Sequence, residues 1–289
     1  LILKTNTQSI IPSFLNFLIN PVYLLKKDFP HFFFTKTKKR QRMYINCKNC
    51  HQTFKGHYCS NCGQTAETHK LNLHYLWHDI QHGLFHFDSG IFYTAKQLFT
   101  RPGHSIREFI EGKRIKHFKP ISLVMVLATA YIASIHLLHI DLFAKTNETV
   151  IPNSNIKIEQ LREWMVSHFA WITLLSIPLH TIGTAICFRK QGYNFIEYFV
   201  LNTYKATQKL YVAILFIPLL YHYSRTTTVE TLSRILLLID FVLYFWTNQQ
   251  FFNHLSKTKT FFLTLLTHLI FWFIVILIAV IVLLIIDKA

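Results

Sequence analysis

Residues 261–286 read FFLTLLTHLIFWFIVILIAVIVLLII, 26 consecutive positions without an acidic or basic side chain other than His268. A bilayer core is crossed by roughly 20 apolar helical residues, and no soluble core helix needs so long an uninterrupted run. This stretch therefore decides the class of the protein. Of the 289 residues, 51% are hydrophobic, and after Pro120 the apolar residues gather into four further runs. The expected spans are 120–140, 164–188, 196–220, 232–252 and 261–286, within a transmembrane domain over 120–289. The third is the weakest, because Lys205 and Lys209 interrupt it. Its alternative is an interfacial helix up to Lys209 followed by a short crossing.

The connecting loops orient the spans. Arg189 and Lys190 lie in one short turn, and Lys257 and Lys259 in another. Basic loops stay cytoplasmic. Loop 141–163 holds Asp141, Glu148, Glu159 and Glu163 against Lys145, Lys157 and Arg162, and is expected outside. Five spans then put the N-terminus in the cytoplasm and the C-terminus outside. Net charge is +16, and residues 1–120 carry most of it, with 18 Lys and Arg against 6 Asp and Glu. A basic half beside a membrane domain predicts contact with anionic headgroups, here through Arg101, Arg107, Lys113, Arg114, Lys116 and Lys119. Nucleic acid is the other partner of a basic face. It is disfavoured because Tyr44, Phe54 and Tyr58 are the few aromatic platforms near Lys48, Lys55 and His57.

Upstream of the spans, Cys47, Cys50, Cys59 and Cys62 follow the pattern C-x2-C-x8-C-x2-C and use four of the five cysteines. Each C-x-x-C turn offers two thiolates from one knuckle, and two knuckles complete a tetrahedral site. The expectation is one structural Zn²⁺ in a ribbon over 44–66. The alternative is a pair of disulfides in an oxidising compartment. Gly56 and Gly63 supply turn conformations. A closed four-thiolate shell leaves no position for a reacting water, so the site is read as a docking module. So short a segment cannot bury a core and depends on the metal.

Residues 67–119 are expected to form a basic juxtamembrane helical segment. Leu73, Leu76, Trp77, Ile80 and Leu84 recur at helical spacing through 67–100, with His74, His78, His82 and His86 on another face. His78, His82, His86 and Asp88 form a candidate second metal or polar site, since imidazoles at i and i+4 can share an ion. The bland reading is an interfacial helix in a chain that holds 17 His. Ser105 and Glu108 match a capping box, with Gly112 as the helix stop. Charge inside hydrocarbon is costly. Lys209 lies 13 residues after Ile196 and Asp240 lies 13 before Asn253, so the two are expected to pair at one depth, as a packing clamp or part of a polar path. There is no G-x-G-x-x-G, phosphate loop or nucleophile elbow. Residues 1–43 form an N-terminal extension. Met43 follows the basic run Lys36 to Arg42 and is expected to be the native start, with an interfacial anchor as the alternative. The ribbon would then be an exposed N-terminal tip.

Several of these segments together resemble one family. They are Cys47-Lys48-Asn49-Cys50, Gly56-His57-Tyr58-Cys59-Ser60-Asn61-Cys62-Gly63-Gln64, His78-Asp79-Ile80-Gln81-His82-Gly83, Arg101-Pro102-Gly103, Glu111-Gly112-Lys113-Arg114 and Pro120. The whole resembles the bacterial membrane family called domain of unknown function 3667, specifically over about 45–125 and loosely over the spans. His51 departs from it, standing where a glycine is usual after the first knuckle. The resemblance implies a bacterial inner-membrane protein with a cytoplasmic zinc ribbon and no established activity. The combined expectation is an all-α integral membrane bundle of about five transmembrane helices with a small N-terminal zinc ribbon. Its role would be a scaffold or assembly partner, non-enzymatic, whose ribbon docks another protein. The alternative is a membrane-embedded enzyme or transporter working through His78, His82 and Asp88 or through Lys209 and Asp240.

Overall fold

The computed structural model describes residues 44–66, 68, 70–72, 90–142, 158–224 and 226–286. The described order is β1 (Ile45–Asn46), β2 (Thr53–Phe54), α1 (Gly90–Thr100), α2 (Pro102–Glu111), α3 (Pro120–Leu137), α4 (Ile158–Ser167), α5 (Phe169–Cys187), α6 (Phe195–Leu215), α7 (Ile217–His222), α8 (Thr228–Phe251) and α9 (Lys257–Ile286). The N-terminal extension and the candidate site His78, His82, His86 and Asp88 lie outside the described residues.

A helix forms at each of the five expected spans. Three of them, in α3, α5 and α9, are long and apolar enough to cross a membrane. Only 6% of the α9 window is covered by the rest of the chain, against 50% in α3. A bare apolar helix of this length is stable only in an apolar solvent, and that solvent is lipid. Pro120 at the first turn of α3 has no N–H to lose and a φ already suited to a helix. The expected second span divides at His168 into α4 and α5.

The weak third span has a positional explanation. α6 runs unbroken past Lys205 and Lys209 to Leu215, and it is not one of the three helices long and apolar enough to cross a membrane. It is the central helix, packed against α1, α2, α3, α5 and α8. Its buried residues include Asn202, Thr203, Lys205, Thr207 and Gln208. A helix wrapped by other helices can carry polar side chains because its neighbours, not lipid, meet them. Gln208 Nε2 donates to Leu98 O at 2.9 Å, and Thr247 Oγ1 donates to Gln208 Oε1 at 3.1 Å, tying α6 to α1 and α8. Tyr204 donates from its hydroxyl to Phe118 O at 3.0 Å, fixing the entry to α3.

The helix cap expected at Ser105 and Glu108 is not formed. α2 starts one turn earlier, with Pro102 in its first turn, and Ser105 is buried inside the helix. Glu108 instead pairs with Arg101 Nη2 at 2.8 Å and Lys113 Nζ at 3.6 Å. A capping box does form at the start of α6. Glu197 N donates to Asn194 Oδ1 at 2.9 Å and Asn194 N to Glu197 Oε2 at 2.8 Å. The stop at Gly112 is as expected. With φ +116 its N–H reaches Glu108 O and Phe109 O, both at 3.1 Å.

Gly103 explains the Arg-Pro-Gly turn. A Cβ there would lie 2.2 Å from Phe251 N, so α2 meets the end of α8 backbone to backbone. Arg107 then reaches across to that helix end, donating to Asn253 Oδ1 at 2.8 Å, Phe251 O at 3.3 Å and Gln250 O at 3.4 Å. The last carbonyls of a helix lack internal donors and carry partial negative charge, so a guanidinium there satisfies both needs.

Candidate metal centre

The two cysteine knuckles repeat one backbone solution. In the first, His51 N donates to Cys47 O at 2.9 Å and Cys47 N donates to Gln52 O at 3.0 Å. In the second, Gly63 N donates to Cys59 O and Cys59 N to Gln64 O, both at 2.9 Å. The fourth residue after the leading cysteine is left-handed in both, His51 with φ +61 and Gly63 with φ +74. His51 therefore keeps the turn that glycine makes easily, at a cost of about 1–2 kcal/mol for a side-chain-bearing residue. The strands hold the knuckles apart and in register. β1 and β2 pair antiparallel with Ile45 opposite Phe54 and Asn46 opposite Thr53, and Tyr58 bridges to Thr65.

The result brings all four expected ligands together. Cys47 Sγ is 3.5 Å from Cys62 Sγ, and Cys50 Sγ is 3.5 Å from Cys59 Sγ. All four sulfurs lie within 4.8 Å of one another. A tetrahedral ion bound at about 2.3 Å has sulfur edges of about 3.8 Å, so the cluster is the right size to hold one. All the cysteines are free thiols, and the disulfide alternative is not what the fold builds. The Gln52 backbone amide draws the Cys50 thiol down to about 6, and the Asn49 side chain likewise lowers Cys62. Burial pushes Cys47 up to about 11. Amide donors aimed at sulfur favour the thiolate, which is the form that binds a metal. Cys47 and Cys59 pack with Phe54 in the small core of the ribbon.

The ribbon is not a free tip. Gln64 is buried, and its Oε1 accepts from Arg114 N at 3.2 Å and Ile115 N at 3.0 Å. Lys48 Nζ donates to Thr68 O at 2.7 Å, and its stem lies over Gly112, where a Cβ would come within 2.7 Å. The two knuckles thus hold the connection between α2 and α3 together, the first through Lys48 and the second through Gln64.

Residues 88–132 match the family model described as protein of unknown function (DUF3667). The match runs from just before α1 to most of the way along α3, and includes Arg101-Pro102-Gly103 and Glu111-Gly112-Lys113-Arg114, two of the motifs that carry the resemblance. No curated protein and no solved structure matches the chain. The matched segment holds the joint on which the ribbon, α8 and the first apolar helix meet.

The residues expected at headgroups are placed differently from one another. Arg101, Arg107 and Lys113 engage Glu108 or the end of α8, as above. Arg114 Nε donates to Phe109 O at 3.1 Å, with its guanidinium 5.5 Å from the Phe109 ring. Lys116 is exposed, and Lys119 is half-buried at the cap of α3. In the bundle, Lys209 Nζ lies 3.5 Å from Asp240 Oδ2. Sequence reasoning missed Lys205, 1% exposed, whose Nζ sits 4.9 Å from the centre of the Tyr244 ring. Its signal was the four-residue spacing from Lys209, which puts both amines on one face of α6.

Proposed function

We propose that this chain is a bacterial inner-membrane scaffold or assembly partner whose cytoplasmic ribbon, closed by one structural Zn²⁺, docks another protein. The observation that carries the reading is that the ribbon has two sides. One side is anchored through Gln64 and Lys48 to the α2–α3 joint. Elsewhere on the ribbon stand Tyr44 and Tyr58, 69% and 65% exposed, with Lys55 Nζ 4.1 Å from the centre of the Tyr44 ring. Exposed tyrosines on a rigid base are the residue type that anchors protein interfaces. Zinc is the ion that suits four thiolates and a closed tetrahedron, and such a centre stabilises without reacting. The cytoplasmic side is supported by charge. The helix ends that meet the ribbon's joint lie beside Arg189, Lys190, Lys257 and Lys259. The C-terminus then falls outside, with α6 and α8 as the third and fourth of five crossings. Lys116 is the side chain best exposed for an anionic headgroup. Nucleic acid is not the partner this surface suits.

Photocrosslinking tests the reading. A photoreactive residue at Tyr44 or Tyr58 in native membranes is expected to give one discrete heavier species, lost when Cys59→Ser opens the ribbon. Crosslinks that are absent, or that survive Cys59→Ser unchanged, sink it. Metal analysis of purified protein is expected to return one zinc per chain.

A second reading, a transporter or enzyme working through Lys209 and Asp240, is favoured by the 3.5 Å approach of the exposed Lys209 amine to the largely buried Asp240 carboxylate.

A further inference from the structure

Ionisable groups from four helices meet at one level of the bundle. α5 brings His180, α6 brings Lys205 and Lys209, α8 brings Asp240 and Tyr244, and α9 brings His268. Counted at 1.5 Å per residue from the helix ends beside the basic turns, they lie about 10–21 Å deep. The rings confirm the meeting. His268 lies 4.9 Å from Tyr244 and 5.7 Å from His180, and His180 lies 5.3 Å from Tyr244. Lys205 Nζ approaches the Tyr244 ring from α6.

Donors and acceptors in this layer do not balance within the protein. His268 Nδ1 is 3.1 Å from Thr264 O, so it carries the ring proton and donates it to that carbonyl. Nε2 is then a bare lone pair, and it is buried without a hydrogen-bond partner. Asp240 Oδ1 is likewise buried and unpartnered, although Oδ2 meets Lys209. Against these acceptors stands Lys205, which has three N–H donors and spends one on Asn202 Oδ1 at 3.4 Å. Unpaired polar atoms at such depth are costly. A core serving packing alone would be cheaper if apolar.

We propose that this layer is an intramembrane proton-binding site in which Lys205, Asp240 and His268 share one exchangeable proton. The layer holds that proton as the Lys205 ammonium, the His268 imidazolium or the Asp240 carboxylic acid, and passes between these forms by exchange with solvent, since neither His268 Nε2 nor Asp240 Oδ1 has a donor within hydrogen-bond reach. Nothing else is consumed or formed. Lys209 and Tyr244 set the field around the three, and His180 faces them from α5. The inference rests on the second reading's residues but names a ligand, the proton, and does not require that it cross the membrane.

The test uses the full chain in lipid nanodiscs with ¹³C-labelled histidine, and infrared difference spectra between pH 8 and pH 5. A histidine ring band is expected that disappears in His268→Gln, grows in Lys205→Met, which removes a competing base and its positive charge, and falls to half or less in Asp240→Asn, which removes the neighbouring negative charge. Lys205→Met keeps the side-chain length and removes a buried charge, so the fold should survive; Asp240→Asn is the independent second variant. A pH-difference spectrum unchanged by His268→Gln, or unchanged by both of the other variants, overturns the proposal. Proton flux through proteoliposomes separates the two ideas. Flux lost in Lys205→Met supports transport as well as binding. A titrating band without flux supports the site and sinks transport.

Discussion

The ribbon and the helical bundle solve the problem of buried polarity in opposite ways. The ribbon has a core of Cys47, Phe54 and Cys59, too small to stabilise 23 residues, and gathers its polar sulfurs on a point where one ion can satisfy all of them. The bundle has ample apolar surface, yet its central helix buries Lys205, Asn202 and Gln208 and satisfies them piecemeal through neighbouring helices. One region has the donor set to be held by coordination, and the other is held by packing. Their energetics should therefore separate.

The largest expected effect is metal removal. Structural zinc sites in small domains are worth about 10–16 kcal/mol of folding free energy at neutral pH. Chelation should make 44–66 a protease-sensitive segment while circular dichroism of the helices is nearly unchanged. Helix content that collapses along with the ribbon would break the separation. Next comes Gly103→Ala, which drives a methyl into the α8 backbone. Overpacking typically costs about 1–3 kcal/mol, and more is expected here because both partners are backbone. Thermal unfolding of the bundle should drop by several degrees with zinc content unchanged.

A third effect depends on pH. His117 sits among the rings of Tyr93, Phe109 and Tyr204, and burial lowers it to about 4 from 6.5. The unfolded chain then binds this proton more readily than the folded one. The stability is fully present above pH 6.5 and is lost as pH falls toward 4, on the order of 3 kcal/mol. His117→Phe should flatten the dependence of unfolding temperature on pH in that window, and an unchanged slope would contradict it. The smallest effect is His51→Gly. It relieves a left-handed residue and should strengthen the ribbon by about 1 kcal/mol, read as slower zinc loss to a competing chelator.

Legibility followed the same division. The ribbon's ligands were readable because ligand spacing is a local property. Two thiolates at i and i+3 meet on one knuckle whatever the rest of the chain does. The long apolar runs were readable for the same kind of reason, since α9 needs only its own 26 residues and lipid. Local signals failed where distant contacts compete. Ser105 and Glu108 carry the spacing of a capping box, but Pro102 starts the helix earlier and Arg101 and Lys113 claim the carboxylate. Arg107 looked like a headgroup contact, and which helix end it would cap cannot be known until α8 arrives 144 residues later. Lys205 in α6 read only as an interruption of an apolar run, and that it is buried among neighbouring helices depends on segments the run does not contain.

The sequence by itself determined the cysteine quartet that could hold a metal, the apolar helices and the asymmetry of charge, since each depends on spacing or composition within one segment. The tertiary structure alone decided which helix is central, which arginine closes which helix, and that the ribbon is seated on the α2–α3 joint. These depend on what surrounds a residue, and burial and hydrogen-bond partners are supplied by segments far away in the chain.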